Sequence, residues 1–78
     1  MDKLIEKGLN PRFKWCGISS ANQLKEKLLD FLPYAIIEVE KSSDELFKVK
    51  IEFYNVKLNL KFITKYKHNL YYIQEITY

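Results

Sequence analysis

The stretch FKVKIEFYNVKLNLKF, residues 47–62, decides the fold of this chain. Apolar and polar residues alternate in both halves of it, which is the two-residue period of a strand with one buried face. The apolar parity changes at Tyr54-Asn55. A two-residue turn there explains the change, because it makes Phe53 and Val56 direct partners on one face. Asparagine also tolerates the left-handed backbone that such a turn needs.

The same period continues on both sides of this predicted hairpin. Residues 35–39 alternate in the same way before a polar turn at residues 41–44. After the hairpin, a loop at residues 67–69 is predicted to pair Tyr66 with Leu70. The pattern therefore predicts a four-stranded antiparallel β-meander. The residues of the last strand predicted to point inward are Leu70, Tyr72, Gln74, Ile76 and Tyr78.

One main helix is predicted before the meander, over residues 21–32. Ser20 and Gln23 form an S-x-x-Q capping box at its start, and Pro33 ends it. Its apolar residues recur at helical spacing and form one stripe. The predicted fold class is α+β, with this helix packed on one face of the sheet. The positions predicted to be buried include Leu24, Leu28, Phe47, Ile51, Leu58, Leu60 and Phe62.

The segment before the helix indicates further short elements. Residues 2–7 predict a short helix closed by Gly8. Residues 12–16 alternate basic and aromatic side chains, which is typical of a short strand or an extended strap. With a strand there, the order of elements is β-α-β-β-β-β, which is similar to that of cystatin-like folds. This similarity concerns topology alone and implies no function.

Length and composition indicate one small domain, residues 1–78. Hydrophobic residues make up 47% of the chain, enough for a core. Cys16 is the only cysteine, so no internal disulfide can form, whereas small secreted domains usually carry several. The first residues contain no apolar signal region, and the longest apolar stretch, residues 31–37, is too short to cross a membrane. We therefore expect a cytoplasmic domain with no membrane partner.

The net charge of +3 lies in the C-terminal part, where residues 46–78 hold six lysines and two glutamates. The predicted registers place Glu38, Lys48, Lys61 and Glu75 in one cross-strand row, and Ile36, Lys50, Asn59 and Thr77 in the next. Other predicted pairs are Glu52 with Lys57, Lys65 with Tyr71, and Ile63 with Ile73. Glutamates then flank Lys48, Lys57 and Lys61 and leave Lys50, Lys65 and Lys67 unpaired, so we expect weak binding to generic DNA or RNA.

The leading functional hypothesis is a non-enzymatic protein-binding module. Small inhibitors, immunity proteins and phage anti-defence proteins act in this way, by occupying a partner's surface. Tyrosine is enriched at protein interfaces because it brings a large area and a hydroxyl group with few torsions to fix. The candidate partner-binding residues are Tyr54, Ile63, Tyr71, Tyr72, Ile73 and Tyr78. The same side chains also suit cross-strand pairs that only stabilise the sheet.

Two alternatives stay open. The first is nucleic-acid binding through the lysine- and tyrosine-bearing sheet face, with stacking on Tyr54 or Tyr71. Its candidate residues are Arg12, Lys14, Trp15, Lys50, Lys57, Lys65 and Lys67. The second is an oligomeric structural component. Residues 70–78 contain no proline, no lysine and one charge, so this predicted edge strand favours pairing with a second copy or with a partner.

Residues that carry catalysis are few. His68 is the only histidine and falls in a predicted hairpin tip, where solvent exposure is its simplest explanation. Cys16 has no second cysteine nearby and is interpreted as a structural thiol. No spacing of ligands indicates a metal site, and no glycine-rich loop indicates a phosphate site. We therefore expect neither enzymatic activity nor a cofactor.

Overall fold

The computed structural model describes the backbone of residues 4–78 and the side chains of residues 7–78. A π-helical segment, Leu4–Leu9, leads into helix α1 (Asn10–Phe13), the two-residue strand β1 (Gly17–Ile18) and the main helix α2 (Ala21–Phe31). Four strands follow: β2 (Ile36–Ser43), β3 (Leu46–Phe53), β4 (Val56–Lys67) and β5 (Leu70–Thr77). The predicted α+β class with an antiparallel meander is confirmed. The sheet has five strands, in the order β1-β5-β4-β3-β2.

The N-terminal segment differs from the prediction. Residues 12–16 do not form a strand, because Pro11 suits the first turn of a helix and α1 continues to Phe13. The strand begins later, at Gly17, and lies beside β5. The helix predicted over residues 2–7 begins outside the described residues. Gly8 does not close it but lies inside the π-helical segment Leu4–Leu9.

Helix α2 begins as predicted and ends one residue before the predicted end. The Ser20 hydroxyl accepts a hydrogen bond from the Gln23 backbone N–H at 3.2 Å. The Gln23 side-chain oxygen accepts one from the Ser19 backbone N–H at 2.6 Å, so the capping contact reaches one residue further back than the usual box. Leu24 and Leu28 are fully buried, and the helix packs mainly over β2.

The β3–β4 hairpin is confirmed. Tyr54 and Asn55 have φ angles of 50° and 65°, and Phe53 pairs with Val56. Left-handed angles at both turn positions match the right-handed twist of the strands on either side. The predicted pair of Lys48 with Lys61 and that of Glu52 with Lys57 are present.

The predicted register between β2 and β3 is wrong by two residues. Strand β2 continues to Ser43, so the turn lies later than predicted and each residue meets a different partner. Glu40, rather than Glu38, pairs with Lys48. The other outward pairs of β2 are Glu38 with Lys50 and Ile36 with Glu52.

The predicted register of β5 is also wrong. A two-residue turn at His68-Asn69, with φ angles of 53° and 66°, pairs Lys67 with Leu70, which leaves Tyr66 opposite Tyr71. Leu70 and Tyr72 therefore point outward. The register shifts between Ile63 and Thr64, and Gln74 is left as the extra residue on β5. This bulge leaves Gln74 without a direct partner on β4. It also returns Ile76 to the buried face, which is the orientation predicted for Ile76.

The core lies between the sheet and helix α2. All seven positions predicted to be buried are buried. Phe13 also belongs to the core, in edge-to-face contact with Phe31 and Phe62 at centroid distances of 6.3 Å. None of the described helices has the length and apolar character needed to cross a membrane.

Leu28→Ala is expected to lower the free energy of unfolding by about 2–5 kcal/mol, because it leaves a cavity between α2 and the sheet. The exposed neighbour Lys25 provides the control, since Lys25→Ala should change stability by about 0.5 kcal/mol or less. Urea unfolding followed by circular dichroism measures both values. Equal effects of the two substitutions would contradict the packing of α2 on the sheet.

Candidate binding surfaces

The predicted partner-binding residues do not form one surface. Ile73 is fully buried, and Tyr71 is buried against Phe47 with ring centroids 5.2 Å apart. The one-residue difference in the β5 register turns these two side chains inward. Tyr54 is 81% exposed at the β3–β4 turn. The remaining three are partly or largely exposed and lie elsewhere on the sheet: Ile63 on β4, Tyr72 on β5 and Tyr78 at its end.

Tyr71 has a structural role near the β2–β3 turn. Its hydroxyl lies 3.4 Å from Oδ1 of Asp44, and the Lys41 ammonium group lies 4.9 Å from the centre of its ring. Lys41 also forms an ion pair with Asp44 at 3.1 Å. The pKa of Lys41 is raised above its ordinary value, because the Tyr71 side chain and then Asp44 stabilise the ammonium form. Tyr71 therefore joins the turn to the core and is not free to stack on a base.

The edge of β5 is partly covered by the chain's own N-terminal segment. Gly17 and Ile18 pair with Tyr72 and Tyr71. The Trp15 N–H donates to the Ile73 carbonyl at 2.6 Å, and the Ile73 N–H donates to the Cys16 carbonyl at 3.0 Å. The edge that was predicted to pair with a second copy is thus occupied over Tyr71–Ile73.

The opposite edge of the sheet, strand β2, has no neighbouring strand among the described residues. Phe53 and Val56 flank a two-residue turn and so form a hydrogen-bonded pair. Hydrogen-bonded and non-hydrogen-bonded pairs alternate along an antiparallel ladder. The odd-numbered residues of β3 therefore bond to β4 and the even-numbered residues bond to β2, where their partners are also even-numbered. The N–H and C=O groups of Ile37 and Val39 therefore point away from the sheet and are available for pairing.

Four exposed apolar side chains lie at the end of the sheet where β2 begins; we call them the apolar end. Its members are Tyr34, Ile36, Tyr54 and Val56, of which Tyr34 is 88% and Ile36 66% exposed. The sequence predicted Tyr54 as a partner-binding residue and placed Ile36 in a cross-strand row with Lys50, but it did not indicate the other two. Val56 has the parity of a core residue, and Tyr34 follows Pro33 outside any regular period, so no pattern marked them.

Charges on the outer face of the sheet are unevenly distributed. Carboxylates lie opposite Lys48, Lys50 and Lys57, all on the side nearer β2. Lys65 and Lys67 lie opposite Tyr72 and Leu70 instead. Lys61 also has no carboxylate opposite it, since it faces Lys48 and Thr77 and not the predicted Glu75. Two of these three lysines of β4, Lys65 and Lys67, lie near the β4–β5 turn.

The structure divides the residues predicted to bind nucleic acid. Trp15, Lys65 and Lys67 line one shallow groove of about 330 Å³, together with His68, Tyr72 and Gln74; we call it the Trp15 groove. Lys50 and Lys57 lie across the sheet from it, near Ile36. Arg12 faces a different cleft, where its guanidinium group stacks over Phe31 at 4.6 Å. Lys14 is exposed next to Trp15.

Cys16 and His68, the single cysteine and the single histidine, line different clefts. The Cys16 thiol is half-buried and donates a hydrogen bond to the Arg12 carbonyl at 3.1 Å. His68 is exposed in the β4–β5 turn. Within residues 7–78, no group of three or more His, Cys, Asp or Glu side chains is arranged to hold a metal ion.

Two isoleucines test the corrected register. Ile73→Lys is expected to cost about 4 kcal/mol or more and to abolish folding, because it places an unpaired charge in the core. Ile36→Lys, on an exposed position of another strand, should change stability by about 0.5 kcal/mol or less. Circular dichroism and thermal unfolding of both variants distinguish them. A folded Ile73→Lys protein would contradict the observed register of β5 and support the predicted one, in which Ile73 points outward.

Comparison of the chain with protein-family models, curated proteins and solved structures found no match.

Proposed function

We propose that this chain is a non-enzymatic protein-binding module that receives an extended segment of its partner along the open edge of β2. The observation that supports this most directly is the pair of outward-pointing backbone groups at Ile37 and Val39 beside the apolar end. Strand addition uses such groups for affinity, while neighbouring side chains supply specificity. A module of this kind acts by occupying its partner's surface, as small inhibitors do.

The apolar end supplies the side-chain part of this interface. Tyr34, Ile36 and Tyr54 expose large apolar area within reach of one end of β2. Exposed apolar patches rimmed by polar residues are typical of protein interaction sites, and tyrosine is common in them. A partner segment that pairs with β2 and continues past Ile36 covers this area.

The charges of β2 select the partner. Glu38 and Glu40 point to the outer face of the edge strand. If a second copy of β2 paired antiparallel with the first, a register centred on Glu38, Val39 or Glu40 would place one glutamate opposite another. Like charges directly opposite each other destabilise such a pair. A partner strand with lysine or arginine at alternate positions avoids this repulsion. The proposed partner is therefore a different protein with a basic edge strand or extended segment.

Neutralising the two glutamates should make the edge pair with itself. We expect the variant Glu38→Gln with Glu40→Gln to form dimers at high concentration, because the like charges that block β2–β2 pairing are gone. Size-exclusion chromatography with light scattering measures the mass. Adding Val39→Pro should restore the monomer, since it removes an outward N–H and leaves the bonds to β3 intact.

The matched control changes the same amount of charge elsewhere. Glu26→Gln on α2 with Glu75→Gln on β5, both exposed and neither on the outer face of β2, should leave the mass of the protein unchanged. Dimers formed equally by the control variant would indicate a general effect of net charge. A strictly monomeric Glu38→Gln, Glu40→Gln variant would count against an accessible edge.

A second experiment tests partner binding by removing one outward backbone N–H of β2. A tagged wild-type protein, expressed in its own cells, should recover a stable partner, and Val39→Pro should lose it. Val39→Ala removes the same side chain but retains the N–H, so it should recover the partner nearly as well as the wild type. Loss of the partner in both variants, or in neither, would contradict strand addition at β2. Thermal unfolding of each variant checks that the fold is retained.

A further inference from the structure

Trp15 is held in an exposed position by the backbone around it. Its side chain is 64% exposed, although tryptophan is the largest apolar residue. Its φ angle is 70°, a left-handed value that is uncommon for residues other than glycine, asparagine or aspartate. Its N–H bonds the Ile73 carbonyl at 2.6 Å, which ties the strained residue to β5. Such strain persists where neighbouring structure fixes it, and it is common at functional sites.

Tyr72 forms the second aromatic wall of the Trp15 groove. It is the cross-strand partner of Gly17, on the outer face of the sheet. A Cβ atom at Gly17 would lie 3.1 Å from Cε1 of Tyr72 and 3.2 Å from Cδ1 of Leu70. The missing side chain therefore lets the Tyr72 ring lie close over β1, on the same face as Trp15.

The charges around these rings are positive. Lys65 and Lys67 point to the same face, about 7 Å apart along β4. Within residues 7–78, no carboxylate lies within 4 Å of either ammonium group, whereas Lys41 does have such a partner. The lining of the Trp15 groove contains no acidic residue. Two cations and two aromatic rings thus share one groove without an internal counter-charge.

We propose that the Trp15 groove binds single-stranded nucleic acid. Trp15 and Tyr72 stack on bases, and Lys65 and Lys67 contact the phosphates that follow along the strand. An unpaired strand is required, because the bases of a duplex are stacked on one another and their faces are closed to side chains. An acidic peptide would meet the lysines but would leave the two aromatic rings without a role. None of the residues that line the groove lies on β2 or β3, so it does not depend on the protein interface.

Trp15 is the only tryptophan, so its fluorescence reports on this site alone. The probe is a twelve-nucleotide oligothymidine at low salt. We expect quenching of Trp15 fluorescence with a Kd of about 10⁻⁵ M, in the range of non-specific binding. With two phosphate contacts, the logarithm of affinity should fall with the logarithm of salt with a slope of about −1.4. A twelve-base-pair duplex should bind clearly more weakly.

Variants separate stacking from charge. With labelled oligonucleotide and anisotropy, Trp15→Ala should weaken binding by about 5- to 100-fold, and Trp15→Phe should restore most of it. Lys65→Gln with Lys67→Gln should weaken binding and bring the salt slope close to zero. Lys48→Gln with Lys50→Gln makes the same change of charge near β2 and should leave the affinity within twofold. Trp15 is exposed, so circular dichroism should show each variant folded.

Three results would overturn the proposal. The first is the absence of quenching by oligothymidine at millimolar concentration. The second is equal loss of affinity in the Lys48, Lys50 control and the Lys65, Lys67 variant, which would mean that net charge alone drives binding. The third is equal binding of a polyglutamate peptide of the same charge, which would assign the groove to acidic polypeptides.

Discussion

The register between β3 and β4 is the constraint on which the other surfaces depend. It is set by two left-handed residues, Tyr54 and Asn55, which make Phe53 and Val56 a hydrogen-bonded pair. Because side chains and backbone bonds both alternate with a period of two, this single pair fixes two properties of β3 and β4. It determines which of their residues enter the core and which of their backbone groups are offered to β2 and β5. The outward-facing groups of β2 follow from it, and so does the outward direction of the lysines of β4.

The two edges of the sheet are treated differently by the chain. A short strap that ends in β1 covers part of β5, at the cost of a left-handed backbone at Trp15. Nothing among the described residues pairs with the outer side of β2, but two glutamates on its outer face keep a second copy away. One edge is therefore covered in part by the chain itself, and the other is protected by charge alone. The glutamates of β2 repel a second copy of β2 but do not repel a strand that carries lysine or arginine, so this protection is selective.

Much of this fold was predictable from the sequence, and the failures have local causes. The β3–β4 hairpin and the start of α2 were predicted correctly, because a parity change and a capping box are strong signals. The β5 register was wrong because the β4–β5 turn is one residue shorter than predicted and a bulge at Gln74 follows it. The two differences cancel at Ile76, which faces inward in both registers. The difference in register reversed the assignment of Tyr71 and Ile73 from partner-binding to core. Strand β1 has two residues, too few for any period to show. The Trp15 groove could not be predicted as a site, since it is assembled only by β1 and the β5 register.

The distribution of carboxylates explains how one sheet can carry two unlike surfaces. Glu38 and Glu40 lie opposite Lys50 and Lys48, so the half of the outer face near β2 is balanced within the sheet. The lysines near β5 have aromatic and aliphatic partners instead, and their charge is available to an outside ligand. Lys65 in the Trp15 groove lies two strand spacings of about 4.8 Å from β2 and four residues along the sheet from the row of Glu40, so the two charges are about 17 Å apart. That distance is about twice the screening length at physiological ionic strength. A partner on β2 and an anionic strand in the groove would therefore interact weakly through their charges, and both surfaces can be occupied at the same time.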